Sequence, residues 1–270
     1  MREVLVIGAT GTTGSRVTAG LAEMGVPARP ATRTPREPGQ VRFDWADRDT
    51  HGPALKGVGA VYLIAPIGVA DPVPLVEPFL HEAAESGVRR MVLLSSSAVT
   101  DETPGLGVLP RLVRTVGPEW TVLRPSWFMN NFTGDHPVAR GVRAGEIVTA
   151  TGSGRVGFVD AEDIAAVAVR ALTDQRPHNT EHLITGPEAL SYAEAAAIIG
   201  EVTGRPVVHR AVEAPELVKR LSPLPPEFAA ILAALDVAIA AGAEDRVTDT
   251  VARVTGRPAR DFRTFVTKEL

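Results

Sequence analysis

The sequence predicts an α/β fold: a doubly wound parallel sheet with a smaller C-terminal lobe. Three observations predict it. Short apolar runs alternate with helix-like stretches through the first 125 of the 270 residues. A regular glycine turn, Gly8-x-x-Gly11-x-x-Gly14, directly follows the first of those runs. After Pro125 the alternation loosens, with no repeat, low-complexity tract or clear linker to mark a separate module. The expected core is therefore 1–125, completed by 157–185, and the expected lobe is 126–156 with 186–270.

In chain order, Val4–Ile7 reads as a strand, and Ser15–Met24 as a helix with Val17, Leu21 and Met24 at helical spacing and Gly25 as its stop. Ala28–Thr32 and Val41–Asp44 read as the second and third strands. Ala60–Ala65 ("AVYLIA") is the fourth, ended by Pro66. Val76–Ser86 reads as a helix closed by Gly87, and Arg90–Ser95 ("RMVLLS") as the fifth strand. Leu106–Thr115 reads as a helix with Pro110 blurring its bounds, and Thr121–Arg124 ("TVLR") as the sixth strand. Such alternation implies crossovers and a parallel sheet covered on both faces. Beyond it, Glu146–Val148, Gly157–Val159 and Leu183–Thr185 read as short strands. Ala161–Leu172 reads as a helix with Asp160 and Asp163 in a capping arrangement, and Ser191–Thr203 as a helix capped by Ser191. The last 55 residues hold two or three helices. Within them the alanine-rich run Phe228–Ala243 reads as plain core, with a pocket roof or a homodimer face as alternatives.

Composition excludes several classes. A net charge of −4, with no basic run, gives no footprint for nucleic acid. Cysteine is absent, which removes disulfides, thiolate nucleophiles and Cys-type zinc sites and fits a reducing cytosol. No charged leader with a long apolar core precedes the first strand, and the longest apolar run is interrupted by Asp236, so neither a signal peptide nor a membrane span is expected. The expected location is cytoplasmic.

The glycines answer to a phosphate. Gly8 permits a tight turn, Gly11 a close backbone approach to a diphosphate, and Gly14 close helix–strand packing. The amides and dipole of the following helix favour negative charge, and Thr10, Thr12 and Thr13 add hydroxyls and N–H groups. The fold is thus Rossmann-like and its ligand a dinucleotide, although the spacing departs from G-x-G-x-x-G. An NAD site usually places an acid about 20 residues past the glycines. Here the second strand runs into "ATRTPRE", with Arg33 at that place, Arg36 close by and Glu37 the first acid. A guanidinium pairs with a 2′-phosphate, so the expected cofactor is NADP(H). Asp44 is expected either to contact the adenine end or to cap a turn.

The tyrosine–lysine pair that serves many dehydrogenases as a general acid cannot exist here. Four residues beyond Tyr62 and Tyr192 stand Pro66 and Ala196, and the only lysines are Lys56, Lys219 and Lys268. Acceptors that need little protonation, such as an iminium, quinone, azo or activated enone, remain within reach of hydride transfer by positioning.

"GATGTTG", "LLSSS", "WTVLRPSWFMNNF", "FVDAEDIAAVAVRAL" and "LITGPEALSYAEAA" together resemble the NmrA-like atypical short-chain dehydrogenases/reductases, in the branch of ergot-alkaloid-type and azoreductase-like NAD(P)H reductases. The resemblance covers nearly the whole chain. It implies an NADPH-binding Rossmann domain and a small substrate lobe, and it implies that Ala65, Pro66, Ser95–Ser97 and Pro125–Phe128 approach the nicotinamide. Ser95 and Pro125 are thereby cofactor candidates, and Ser96 a candidate weak proton donor that also meets substrate. Trp127 and Phe128 are expected to wall a flat substrate, Met129 to be core, and Asn130 and Asn131 to orient a polar group or cap a turn. His136 is expected in a surface loop. Several relatives carry a histidine roughly where Leu109 stands, which weakens the transfer of a histidine-assisted mechanism. The function implied is NADPH-dependent reduction of a small electron-poor molecule; the alternative is an NADP(H)-binding redox sensor without turnover.

Overall fold

A computed structural model describes residues 3–222 and 224–270. The strands are β1 (Glu3–Ile7), β2 (Ala28–Thr32), β3 (Val41–Arg42), β4 (Val58–Ile64), β5 (Arg90–Leu94), β6 (Glu119–Pro125), β7 (Glu146–Thr149), β8 (Arg155–Val156), β9 (Thr180–Ile184), β10 (Leu190–Ser191) and β11 (Val208–Ala211). The helices are α1 (Thr12–Glu23), α2 (His51–Leu55), α3 (Val73–Glu85), α4 (Val108–Val116), α5 (Pro137–Ala144), α6 (Ala161–Thr173), α7 (Tyr192–Thr203), α8 (Ala214–Arg220), α9 (Pro226–Ala240), α10 (Thr250–Thr255) and α11 (Phe262–Glu269). The chain divides into two compact units, Met1–Pro125 with Ala161–Leu183, and Ser126–Asp160 with Ile184–Leu270.

The first unit holds a seven-stranded sheet in the order β3-β2-β1-β4-β5-β6-β9. Pairing from β3 to β6 is parallel throughout, with Leu5 opposite both Arg29 and Val61, and Val61 opposite Met91. Both faces are buried, so successive residues of one strand serve opposite layers. Leu5, Ile7, Val61, Leu63, Met91 and Leu93 pack with Val76, Phe79 and Leu80 of α3 and Val113 of α4. Their neighbours Val4, Val6, Tyr62 and Val92 are also buried, as are Val17 and Leu21 of α1 and most of α6. At α1 against α6, a Cβ on Gly20 would stand 3.0 Å from Val169.

Several element bounds differ from the sequence expectation. Helix α1 begins at Thr12, three residues early, because the glycine turn itself forms its first turn. Helix α3 begins at Val73 and runs through Pro78 at the cost of one backbone bond. Leu106 and Gly107 stay outside α4, since a Cβ on Gly107 would lie 2.3 Å from the Thr100 carbonyl. Strand β3 ends at Arg42, and Phe43 and Asp44 enter a turn. The expected strand Gly157–Val159 is displaced to β8, antiparallel to β10, and Val159 instead bridges Phe128.

In the second unit β7 pairs in parallel with β11, a strand the sequence reading lacks. Its core is aromatic: Phe132 meets Phe158 and Phe262 edge-on at 5.2 and 4.9 Å, beside Tyr192. Ser191 and Glu194 form a reciprocal cap on α7. Among the described residues three helices, α9 to α11, lie wholly within the last 55, and α8 straddles the start of that span. The alanine-rich run is core on one side only. Ala229, Ala233 and Ile239 are buried, whereas Phe228, Ile231 and Val237 are exposed. Asp160, expected as a helix cap, is 1% exposed, and its carboxylate takes an ion pair from Arg260.

Candidate active site

In the first unit the strand order reverses between β1 and β4, and in open α/β sheets the crevice at that point receives the ligand. The glycine turn follows β1. Gly8 sits at φ 71°, a left-handed conformation suited to glycine. The Gly11 amide donates to the Gly8 carbonyl at 2.9 Å, and the Ala9 amide to Ala31 of β2 at 3.2 Å. At Gly14 a Cβ would lie 2.2 Å from the Gly8 oxygen, so α1 rests backbone to backbone on the turn. Gly11 is the N-cap and offers no side chain to the first amides, and the first turn contains no acid. Thr10, Gly11 and Thr12 are exposed. An uncapped, solvent-facing helix start of this kind suits an anion. Thr13 differs from its neighbours. It is buried at 3% exposure and its hydroxyl, which accepts from Tyr62 at 3.0 Å, is turned into the core rather than to solvent.

Beyond β2, Arg33 and Arg36 are exposed, and neither guanidinium has a partner among the described residues. Asp44 performs the turn-capping alternative, its Oδ1 accepting from Ala46 at 3.0 Å. The crevice is completed by the ends of the next strands. Ile64 lies against Gly8, 3.1 Å from where a Cβ would stand. Ala65 and Pro66 follow it, half-buried. Ser95 donates its amide to Leu123, and Ser97 to Pro125, which extends the β5–β6 ladder past the strand ends. The Ser96 oxygen accepts from the Ala98 amide at 3.2 Å.

Three contributors were not foreseen. Trp45 donates its indole N–H to the Ile64 carbonyl at 3.2 Å. His51 is buried against Phe43, Trp45 and Phe79. Arg124, in β6, donates to the Val99 carbonyl and pairs with Asp101 and Glu181, which fixes the loop after Ser96. An arginine inside an otherwise apolar strand was the available signal for the last.

In the second unit, Trp127 packs on the aromatic core and Phe128 is half-buried. The segment is pinned by two bonds, Val159 amide to Trp127 and Met129 amide to Val159, both 2.9 Å. Met129 is 1% exposed, as core. Asn130 and Asn131 lie in a 3-10 turn, Met129–Phe132, where the Asn131 amide donates to Phe128 and the Asn130 carbonyl accepts from Thr133. Ser126 is buried and donates to Glu244 at 3.3 Å. His136 caps α5, its Nδ1 accepting from Val138; desolvation, then Arg140, lowers its pKa.

Neither tyrosine is placed as an acid. Burial pushes both phenols above their ordinary range, for Tyr192 with help from the Asp236 carboxylate. Asp236 is itself raised to about 6 by burial, opposed by the Ala150 amide that it accepts at 2.8 Å. No helix among the described residues is long and apolar enough to cross a membrane.

A parallel sheet with a bare glycine turn at its switch point defines a Rossmann-type ligand-binding protein. The chain belongs to the NmrA-like family, which it matches over residues 1–253. It is similar to YesF of Bacillus subtilis, described as an uncharacterized oxidoreductase, at 47% identity, covering 97% of this chain and 93% of that one. It is similar to festuclavine synthase II of Penicillium roqueforti at 34% identity, covering 96% of each. In fold it resembles an NADPH-dependent quinone oxidoreductase of Escherichia coli complexed with NADPH, with TM-score 0.84 at 22% identity and 98% of each chain covered.

Proposed function

We propose that this oxidoreductase uses NADPH to reduce a small electron-poor organic molecule, of the iminium, quinone, azo or enone type, without a tyrosine–lysine pair. The observation that carries the reading is the start of α1: bare amides on a glycine turn too close for any side chain at Gly14. These residues fit a dinucleotide. Gly8, Thr10, Gly11, Thr12, Thr13 and Gly14 form the diphosphate cradle, in which the uncommitted backbone N–H groups at the start of α1 donate. Arg33, with no partner among the described residues, takes the 2′-phosphate, and Asp44 meets the adenine end. Ala65, Pro66, Ser95 and Pro125 receive the nicotinamide end. When bound, the cofactor supplies the hydride.

The chain supplies position and exclusion of water. Trp127 and Phe128 present an apolar wall to substrate, and Asn130 and Asn131 orient its polar end. Ser96 accepts a bond from Ala98 and so keeps its own proton to donate. Acceptors that already carry positive charge or delocalise the incoming electrons need no stronger acid.

The test is an NADPH-oxidation screen across the four acceptor classes, with Arg33→Ala alongside. The variant should lose about 10- to 100-fold in NADPH affinity while NADH binding holds, the value of a charge-assisted hydrogen bond or two. Unchanged NADPH affinity refutes the cofactor assignment. Tight preference for one redox state with no turnover on any acceptor indicates the sensor.

A further inference from the structure

We infer that His51 is a positioning residue for recognition of the adenine ring, acting through Asp44; the inference rests on the cofactor reading above. Asp44 leaves the sheet just past β3, at the same strand ends as the glycine turn. Its backbone is held from several sides. The Thr50 hydroxyl accepts from the Asp44 amide at 3.0 Å and donates to the Asp47 carbonyl at 2.6 Å. The Asp44 carbonyl accepts from the Asp47 amide and from His51 Nε2, both at 3.0 Å.

The imidazole that makes this last bond cannot turn. It stacks on Phe43 at 4.8 Å, with Phe79 and Trp45 edge-on at 5.4 and 6.0 Å. The bond to a carbonyl requires the proton on Nε2, and Nδ1 is buried with no partner among the described residues. A ring that gives up one buried bond to make another is held for its placement rather than for net polarity. Trp45 joins the same box to the end of β4 through Ile64, so Asp44 is fixed relative to the strand that flanks the glycine turn.

The fixed group is a carboxylate with one oxygen engaged. Oδ1 takes the Ala46 amide, and Oδ2 takes no hydrogen bond from the described residues. A carboxylate oxygen held still at the adenine end selects for a donor, and the exocyclic amine of adenine is one, whereas the oxo group of hypoxanthine is not. His51 thereby sets which purine the site prefers without touching it.

The experiment titrates the full-length protein with NADPH and with its hypoxanthine analogue, in which an oxo group replaces the amine. The unsubstituted chain should prefer NADPH by about tenfold or more, one charge-assisted hydrogen bond. His51→Leu should erase most of that preference by weakening NADPH alone, and His51→Gln, whose amide still donates, should keep it. Thr50→Val tests the same clamp from its other side and should behave as His51→Leu. Equal weakening of both dinucleotides by His51→Leu and Thr50→Val would mean a structural role only and would overturn the inference. Equal binding of both by the unsubstituted chain would overturn it too, yet leave the cofactor reading standing. Binding of neither would sink the cofactor reading itself.

Discussion

Replacing Gly14 with alanine tests the contact on which the cofactor reading depends. The new Cβ would stand 2.2 Å from the Gly8 oxygen, 2.7 Å from the Gly8 carbonyl carbon and 3.0 Å from Ala9 Cα. All three are backbone atoms, so no rotamer change can relieve them. The first contact is short of a comfortable separation of about 3.5 Å by about 1 Å. Helix α1 must therefore lift off the turn by a similar amount. Overpacking of this kind costs about 1–3 kcal/mol, or about 2–12 °C in Tm for a chain of this size. The effect on ligand is larger. An amide displaced by about 1 Å falls outside hydrogen-bond range, and two charge-assisted bonds lost together correspond to at least 100-fold, roughly, in Kd. Calorimetric titration with NADPH beside thermal unfolding separates the two effects. Gly11→Ala is the internal control for stability. Its Cβ would stand 3.2 Å from the same oxygen, a conflict of a few tenths of an ångström, so its loss in Tm should be the smaller of the two. Wild-type affinity in Gly14→Ala, or a larger loss of Tm in Gly11→Ala, refutes the reasoning.

Tyr62→Phe should lower stability by about 1 kcal/mol, because it strands the buried Thr13 hydroxyl, and should leave the pH profile of NADPH oxidation unchanged; a large fall in kcat at unchanged Tm would make the phenol an acid after all. Asp236→Asn should be stabilising at pH 8. The wild-type carboxyl is raised from 3.8 to about 6, so the folded chain binds the extra proton and its stability falls as pH rises through that window, by at most about 3 kcal/mol. The amide oxygen still accepts from Ala150, so the gain in Tm at pH 8 should fade as pH falls through 6 toward 4, and a gain independent of pH would contradict the burial argument.

The legible part of the molecule was the part governed by period. Strands β1, β4, β5 and β6 are buried on both faces, so each reads as a short apolar run, and the parallel crossovers between them carry helices. Glycine chemistry was legible for a similar reason, since Gly8, Gly11 and Gly14 each answer a local demand. The unread elements are short or exposed. Strand β11 has four residues, most of them exposed, and α8 and α10 have seven and six, too few turns to show a stripe. Pairs between residues far apart left no trace in any window. Arg124 meets Glu181, and Arg260 meets Asp160, across 57 and 100 residues. Asp44 shows the remaining limit. Its two readings, adenine contact and turn cap, looked exclusive in sequence, yet a carboxylate has two oxygens, and only one is spent on Ala46.

The two tyrosines explain why the lack of an acid and the presence of a rigid turn belong together. In a chain with a tyrosine–lysine pair, a phenol must reach solvent and a lysine must sit beside it to hold its proton loosely. Here Tyr62 lies in the middle of β4, on the face that packs under α1, and its hydroxyl is committed to Thr13 of the glycine turn. Burial raises its pKa, so the proton is held more tightly than in water. The same hydrogen bond ties the helix start to the central strand and keeps the bare amides of α1 in place. A phenol released for proton transfer would loosen the diphosphate cradle. The site has put its one well-placed tyrosine into preorganisation, and preorganisation is what hydride transfer to an electron-poor acceptor most requires. On the proposed reading, a ketone, which must gain a proton as it gains a hydride, is the poorer acceptor for that arrangement.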